Sequence, residues 1–178
     1  MQYDFQAMVS QAEKDFNFGG NTKFKFQEGD NKLRILSPTL PYQSTYKGRE
    51  TTKFVGYILD RKDGKVKVAF LPYTIIKAIT ALQLSDDYKF DEVPMPYDIN
   101  VIAKKAGTIE VEYQVIPARK ETFLTDQEFE ALQAKTPIEQ FIEKLRGVQQ
   151  QTQEIKEKEN KEEEQNVMGQ MIEEIPFS

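Results

Sequence analysis

Between residues 23 and 67, eleven Lys and Arg stand against five Asp and Glu, and the cations recur at strand-like spacing. Lys32 and Arg34 alternate with Leu33 and Ile35, while Lys65 and Lys67 alternate with Val66, Val68 and Phe70. On a β-strand, alternation of this kind sends the cations to one face. Tyr42, Tyr46, Lys47 and Arg49 add rings and charges in a short stretch among Ser, Thr, Gln and Pro. Binding an unpaired nucleic-acid strand needs this pair of chemistries: cations that follow phosphates and flat rings on which bases stack. Other chemistries have less to draw on. The chain has no Cys and no His, which excludes disulfides, zinc sites of the usual ligands and every His- or Cys-based catalytic scheme. A metal-dependent nuclease would have to use Asp86, Asp87, Asp91 and Glu92, which fall in a Tyr-, Pro- and Asp-rich stretch that reads as a solvated turn.

The net charge of −5 disguises a segregation. From residue 149 to 178, three Lys oppose eight Glu, so the acidic excess belongs to the last thirty residues. A basic body with an acidic appendage suits a polyanion binder, because local field and not net charge attracts phosphates. With 178 residues and 39% hydrophobic content, the chain can build one ordinary domain plus appendages. The opening Met1-Gln2-Tyr3-Asp4-Phe5 reads as no signal peptide, and no apolar run approaches membrane-spanning length. A cytoplasmic protein is expected.

The elements that must position these residues follow from periodicity. Phe5, Met8, Val9, Ala12 and Phe16 form one stripe of a short N-terminal helix, ended by Gly19-Gly20. Strands are expected over residues 31–36, 51–59 and 65–71, the last two joined by a hairpin at Asp63-Gly64. Pro72 opens a helix carrying Ile75, Ile76, Ile79 and Leu82, and strands over 98–103 and 109–116 follow. Thr125-Asp126-Gln127-Glu128 and Thr136-Pro137-Ile138-Glu139 read as capping boxes that start two C-terminal helices. The second helix places Ile138, Phe141, Ile142, Leu145 and Val148 on one face, which could dock on its own barrel or on another protomer. Beyond Val148 the apolar stripe fades into a frayed helix or disordered tail.

Strand–strand–strand–helix–strand–strand is the order of an OB-fold, a five-stranded barrel with its helix between strands three and four. A small α+β sheet could share that order. The expected fold is thus mainly β with appended helices: an arm over 1–20, the barrel over 21–120, C-terminal helices over 121–148, and a flexible acidic tail over 149–178.

In that barrel Leu33, Ile35, Val66, Val68 and Phe70 would fill the interior, leaving Lys32, Arg34, Lys65 and Lys67 outside. Residues 37–50 read as a loop, and its Tyr42, Tyr46, Lys47 and Arg49, with Lys104 and Lys105 of the later turn, would flank the oligonucleotide face. Lys23, Lys25 and Lys53 extend the cationic set. A hairpin centred on Asp63-Gly64 pairs Tyr57 with Phe70 and Asp60 with Lys67, putting Tyr57 inside and Phe54 outside as a stacking ring. Tyr73 reads as core.

At this point the chain resembles bacteriophage single-stranded DNA-binding proteins, OB-fold proteins distantly akin to the helix-destabilising protein of T-even phages. The resemblance is carried by Gly29-Asp30-Asn31-Lys32-Leu33-Arg34-Ile35-Leu36, Asp60-Arg61-Lys62-Asp63-Gly64-Lys65-Val66-Lys67, Leu71-Pro72-Tyr73 and Met95-Pro96-Tyr97-Asp98-Ile99. It covers roughly residues 20–120. It implies sequence-independent cover of unpaired DNA in phage replication, recombination and repair, in the host cytoplasm and without a cofactor. The end of the chain, Glu173, Glu174, Ile175, Pro176 and Phe177, is similar to the acidic, apolar-tipped peptide by which bacterial single-stranded DNA-binding proteins recruit partners. Two departures stand out. The chain lacks the Cys and His that hold the structural zinc of the T-even protein, and residues 1–18 carry one Lys against three acids where that protein is basic.

The leading expectation is therefore a non-enzymatic single-stranded DNA-binding protein. The alternative is a small-barrel interaction adaptor or minor virion protein without nucleic-acid binding, whose mark would be lysines scattered over the barrel.

Overall fold

The computed structural model describes residues 23–46 and 48–173, with the backbone alone at 45, 46 and 169–173. The N-terminal helix expected over residues 1–18 lies outside the described residues. The chain divides into two units, the first ending at Ile138 and the second beginning at Glu139.

The first unit is mainly β, a six-stranded antiparallel sheet with helices. Its strands are β1 (Gly29–Ile35), β2 (Leu40–Tyr46), β3 (Arg49–Asp60), β4 (Lys65–Pro72), β5 (Ile99–Lys104) and β6 (Glu112–Pro117). Helix α1 (Tyr73–Gln83) separates β4 from β5, and α2 (Asp126–Gln133) follows β6. The order along the sheet is β2-β3-β1-β5-β6, with β4 on the other edge of β3. The twelve-residue β3 is thus flanked by β1 at one end and β2 at the other, on the same edge.

Strand β2 corrects the expectation of a loop over residues 37–50 and of five strands. Pro41 and a Ser/Thr/Gln composition mimic a loop, but β2 is an edge strand, where a proline without an N–H is tolerated. The close approach of the chain at 37–39 depends on Gly56, where a Cβ would come within 2.8 Å of Thr39 Cγ2 and 3.2 Å of Pro38 O. Strand β6 begins at Glu112, three residues later than the alternation suggests. The turn before it uses a positive φ at Lys105 and Gly107.

The β3–β4 hairpin forms, but with a four-residue connection, 61–64, closed by Gly64 N donating to Asp60 O over 2.8 Å. Its register pairs Tyr57 with Val68 and Asp60 with Lys65, two residues away from the expected alignment. A shift of two preserves the faces. The correction concerns which of those faces meets the core.

The core gathers Leu33, Ile35, Ile58, Ala69, Leu71, Ile75, Met95, Ile99 and Val101, with Phe54, Tyr113 and Val115 packed against it. Ala69 and Leu71 belong to the face expected to point outward, whereas Val66 and Val68 lie opposite and are buried too. The reason is a second covering layer. α2 packs against β4, and Tyr57, on the same face as Val66 and Val68, donates its hydroxyl to Thr136 O over 2.7 Å. With apolar packing on both faces, alternation no longer distinguishes inside from outside.

The capping box of α2 forms as expected: Thr125 Oγ1 accepts from Glu128 N at 3.2 Å, and Glu128 Oε2 accepts from Thr125 N at 3.0 Å. In the second unit, α3 (Ile138–Glu173) runs through the region expected to fray. Gln, Glu and Lys are strong helix formers, and they carry the helix past the point where apolar periodicity stops. Among the described residues no helix is long and apolar enough to cross a membrane.

Candidate nucleic-acid interface

One end of the sheet is a cleft of about 670 Å³ built from two stretches of chain, 23–32 and 60–67. The segment before β1 supplies Lys23, Phe24, Lys25, Gln27 and Glu28, and β1 itself supplies Asp30, Asn31 and Lys32. The β3–β4 hairpin contributes Asp60, Arg61, Lys62 and Asp63, and β4 contributes Lys67. Asn31 fixes the segment before β1 against β1 and β5, its Nδ2 donating to Gln27 O and Val101 O and its Oδ1 accepting from Gln27 N. Phe24 N donates to Val68 O over 2.7 Å, so the same segment is stitched to β4. The Phe26 ring lies 5.0 Å from that of Tyr113 on β6.

The cleft is mixed in charge, but its acids are already engaged. Glu28 accepts from the backbone N–H groups of Lys105 and Ala106, which seats the 104–108 turn at the rim. Asp30 Oδ1 accepts from Asn100 Nδ2 over 2.6 Å. Asp60 and Asp63 share Lys67, whose Nζ is 2.6 Å from Asp60 Oδ2 and 2.7 Å from Asp63 Oδ2. Burial opposes the charge on Lys67, yet the hydrogen bonds to both acids raise its pKa, and the bond from Lys67 holds Asp63 below the ordinary carboxylate value. Lys25 and Lys32 are exposed and make no ion pair among the described residues. Lys62 is exposed with its Nζ 2.9 Å from Gln27 Oε1. The lining carries six cations, Lys23, Lys25, Lys32, Arg61, Lys62 and Lys67, against four acids, Glu28, Asp30, Asp60 and Asp63, so anions entering the cleft meet a small positive surplus.

Of the residues expected to bind, the structure gathers Lys23, Lys25, Lys32 and Lys67 in the cleft, with exposed Lys65, Lys104 and Lys105 on adjoining elements. Lys23 Nζ stands 4.7 Å over the Phe70 ring, and Lys105 Nζ pairs with Glu110 at 2.9 Å. Lys67 is a correction: it is largely buried and is shared between two acids, because its strand position faces the carboxylates of the hairpin.

Arg34 is a second correction. Expected outside, it is 1% exposed, with Nε 2.7 Å from Asp98 Oδ1 and the other nitrogens donating to Thr122 O and Oγ1. The chain after β6 crosses that face of the sheet and encloses it. Asp98 also receives Arg61, through Nε at 2.9 Å, and Arg61 Nη1 reaches Glu128 on α2 at 2.6 Å. Burial lowers the Arg61 pKa, but the two carboxylates outweigh it and raise it overall.

The rings fall elsewhere. Tyr42 is 7% exposed with its ring 5.8 Å from Phe70, a packed side chain and not a platform. Phe54 is half-buried against the core, contrary to the outward placement expected, and its ring lies 6.4 Å from that of Tyr73. Tyr73, expected in the core, is 62% exposed. Exposed Arg49 and Lys53 and the backbone of Tyr46 belong to this same far end of the sheet. Phe54 is six residues of extended chain from Asp60, roughly 20 Å. The expected channel of exposed lysines and tyrosines is thus a cationic cleft and an aromatic end whose Tyr42 is packed, the two joined through Lys23 over Phe70. Lys47 and the peptide from Glu174 to Phe177 lie outside the described residues, and Glu173 ends α3.

Arg61 and Lys62 were missed as cleft residues; their position in a charged Arg-Lys-Asp-Gly turn read only as a hairpin signal. Asp86, Asp87, Asp91 and Glu92 are all exposed, and among the described residues no three acids gather as a metal site requires. Comparison with protein families, with curated proteins and with solved structures finds no match for this chain.

Proposed function

We propose that this protein is a sequence-independent single-stranded DNA-binding protein that covers unpaired strands during phage replication, recombination and repair. The observation that carries the reading is the cleft: exposed Lys25 and Lys32 of one stretch of chain converge with Lys62 of another, while each acid beside them is bonded to a neighbour. A sugar–phosphate backbone laid along it would gain a salt-dependent attraction from each lysine. The reading rests on these cations, since Tyr42 is buried and Phe54 is half-buried against the core.

The fold is read as an OB barrel whose bent first strand comprises β1 and β2. The order of β3, β4, α1, β5 and β6 supports this, as does the pairing of β1 with both β3 and β5. α1 packs on β3, β4 and β6, and residues 23–26 touch β4 through Val68 and β6 through Tyr113. Those contacts span the gap that a closed barrel must bridge. At the other end of the chain, Glu173, Glu174, Ile175, Pro176 and Phe177 are proposed as a peptide that recruits replication or recombination proteins.

Titration of a labelled oligo-dT, a duplex and an RNA oligomer at several salt concentrations tests the reading. Tight oligo-dT binding that weakens steeply with salt, and weaker duplex binding, is expected. Absence of oligo-dT binding at low salt would favour the adaptor reading instead.

A further inference from the structure

Phe123 is 100% exposed, and the segment that carries it is held at both sides. On one side Thr122 receives two hydrogen bonds from the buried Arg34 guanidinium and donates its own N–H to Pro96 O over 2.9 Å. On the other side Thr125 is fixed by its reciprocal capping bonds with Glu128. A large apolar ring left in water costs about 1.5–3 kcal/mol relative to burying it, and nothing in the covalent chain forces it outward. With Thr122 and Thr125 anchored, a partner that stacks on the ring has only the side chain to order, not the backbone on either side of it.

The position of this segment relative to the cleft is defined by three successive contacts. Arg61 lines the cleft and binds Asp98; Asp98 binds Arg34; Arg34 binds Thr122, next to Phe123. Arg119 and Lys120, both exposed, precede the ring in the same segment. A polyanion following this line out of the cleft would meet two further cations, one acid, Glu121, and one flat apolar surface.

We propose that Phe123 is a base-stacking platform and that Arg119 and Lys120 continue the phosphate path beyond the cleft, making residues 119–123 a second subsite for the unpaired strand. The inference rests on the reading of the cleft as a single-strand site and supplies an exposed ring, since Phe24, the ring lining the cleft, is buried. Arg34 and Arg61 are positioning residues here: they hold the segment and do not touch the strand. A protein partner docking on Phe123 is the competing outcome.

The chain contains no Trp, so F123W introduces a single indole reporter at the platform. Binding of oligo-dT should quench F123W emission, with the same midpoint as that read from a labelled oligonucleotide. F123A should weaken oligo-dT binding about 5- to 150-fold while leaving the salt slope unchanged, because the substitution removes a stacked ring and leaves every phosphate its cation. R119E/K120E should instead flatten the salt slope. Unquenched F123W at saturating oligo-dT, with F123A binding as the unaltered protein does, would overturn the platform and leave the cleft reading standing. Failure of the unaltered protein to bind oligo-dT would overturn both.

Discussion

Arg34 Nε donates to Asp98 Oδ1 over 2.7 Å, and the same guanidinium reaches Thr122, so one buried side chain joins β1, the start of β5 and the chain beyond β6. Its charge is compensated by Asp98, to which Arg61 is also bonded. R34A would leave Asp98 with one partner and Thr122 with none of the hydrogen bonds that Arg34 supplies. We expect a loss of about 3 kcal/mol, the lower end for breaking a buried pair, since Asp98 keeps Arg61. R34K should recover part of it, as an ammonium cannot span both partners in the same geometry. Urea unfolding measures both.

K25E and K32E should weaken oligo-dT binding and reduce the slope of log affinity against log salt by roughly 0.7 for each phosphate left without its cation. Both lysines are exposed, so the thermal midpoints should stay within about a degree or two of the unaltered protein. K53E, at the far end of the sheet, serves as the control and should change neither quantity appreciably. Fluorescence anisotropy across a salt series reads the slopes.

The Asp63–Lys67 bond gives a signed pH dependence. Lys67 holds the Asp63 carboxyl below its ordinary value in the folded protein, while the unfolded chain titrates at that ordinary value. The stability this bond contributes is therefore fully present above the ordinary carboxylate pKa. It is lost as pH falls through the lowered one. D63N should be less stable than the unaltered protein near neutrality and should show a flatter decline of thermal midpoint below about pH 4.

T125A removes the acceptor for Glu128 N and should cost about 1 kcal/mol. It also frees one side of the Phe123 segment, so hydrogen exchange over residues 122–128 should quicken. Exchange in β3 and β4 should not.

Local structure was largely legible in the residues, and the site was only half so. The Asp-Gly hairpin, the helix after Pro72 and the Thr125 box each depend on nearest neighbours and all form, although the hairpin register is shifted by two and Pro72 caps the helix instead of opening it. The face of β4 that meets the core depended on what covers it, and residues 118–138 lie far along the chain. The same distance hid Arg34: nothing near Lys32 and Leu33 signals that Asp98 and Thr122 will enclose it. Lys25 and Lys32 were found because exposed cations need no distant partner. Phe123 went unnoticed because a lone Phe among Arg, Lys, Glu and Thr carries no period.

The most direct test is acetylation footprinting of lysines on the intact protein, with and without saturating oligo-dT. Protection of Lys25, Lys32 and Lys62 is expected, with Lys53 and Lys77, an exposed residue of α1, neither of them lining the cleft, as reactive as in the free protein. Equal reactivity of all five in both states, or protection concentrated on Lys53 and Lys77, would contradict the cleft as the path of the strand.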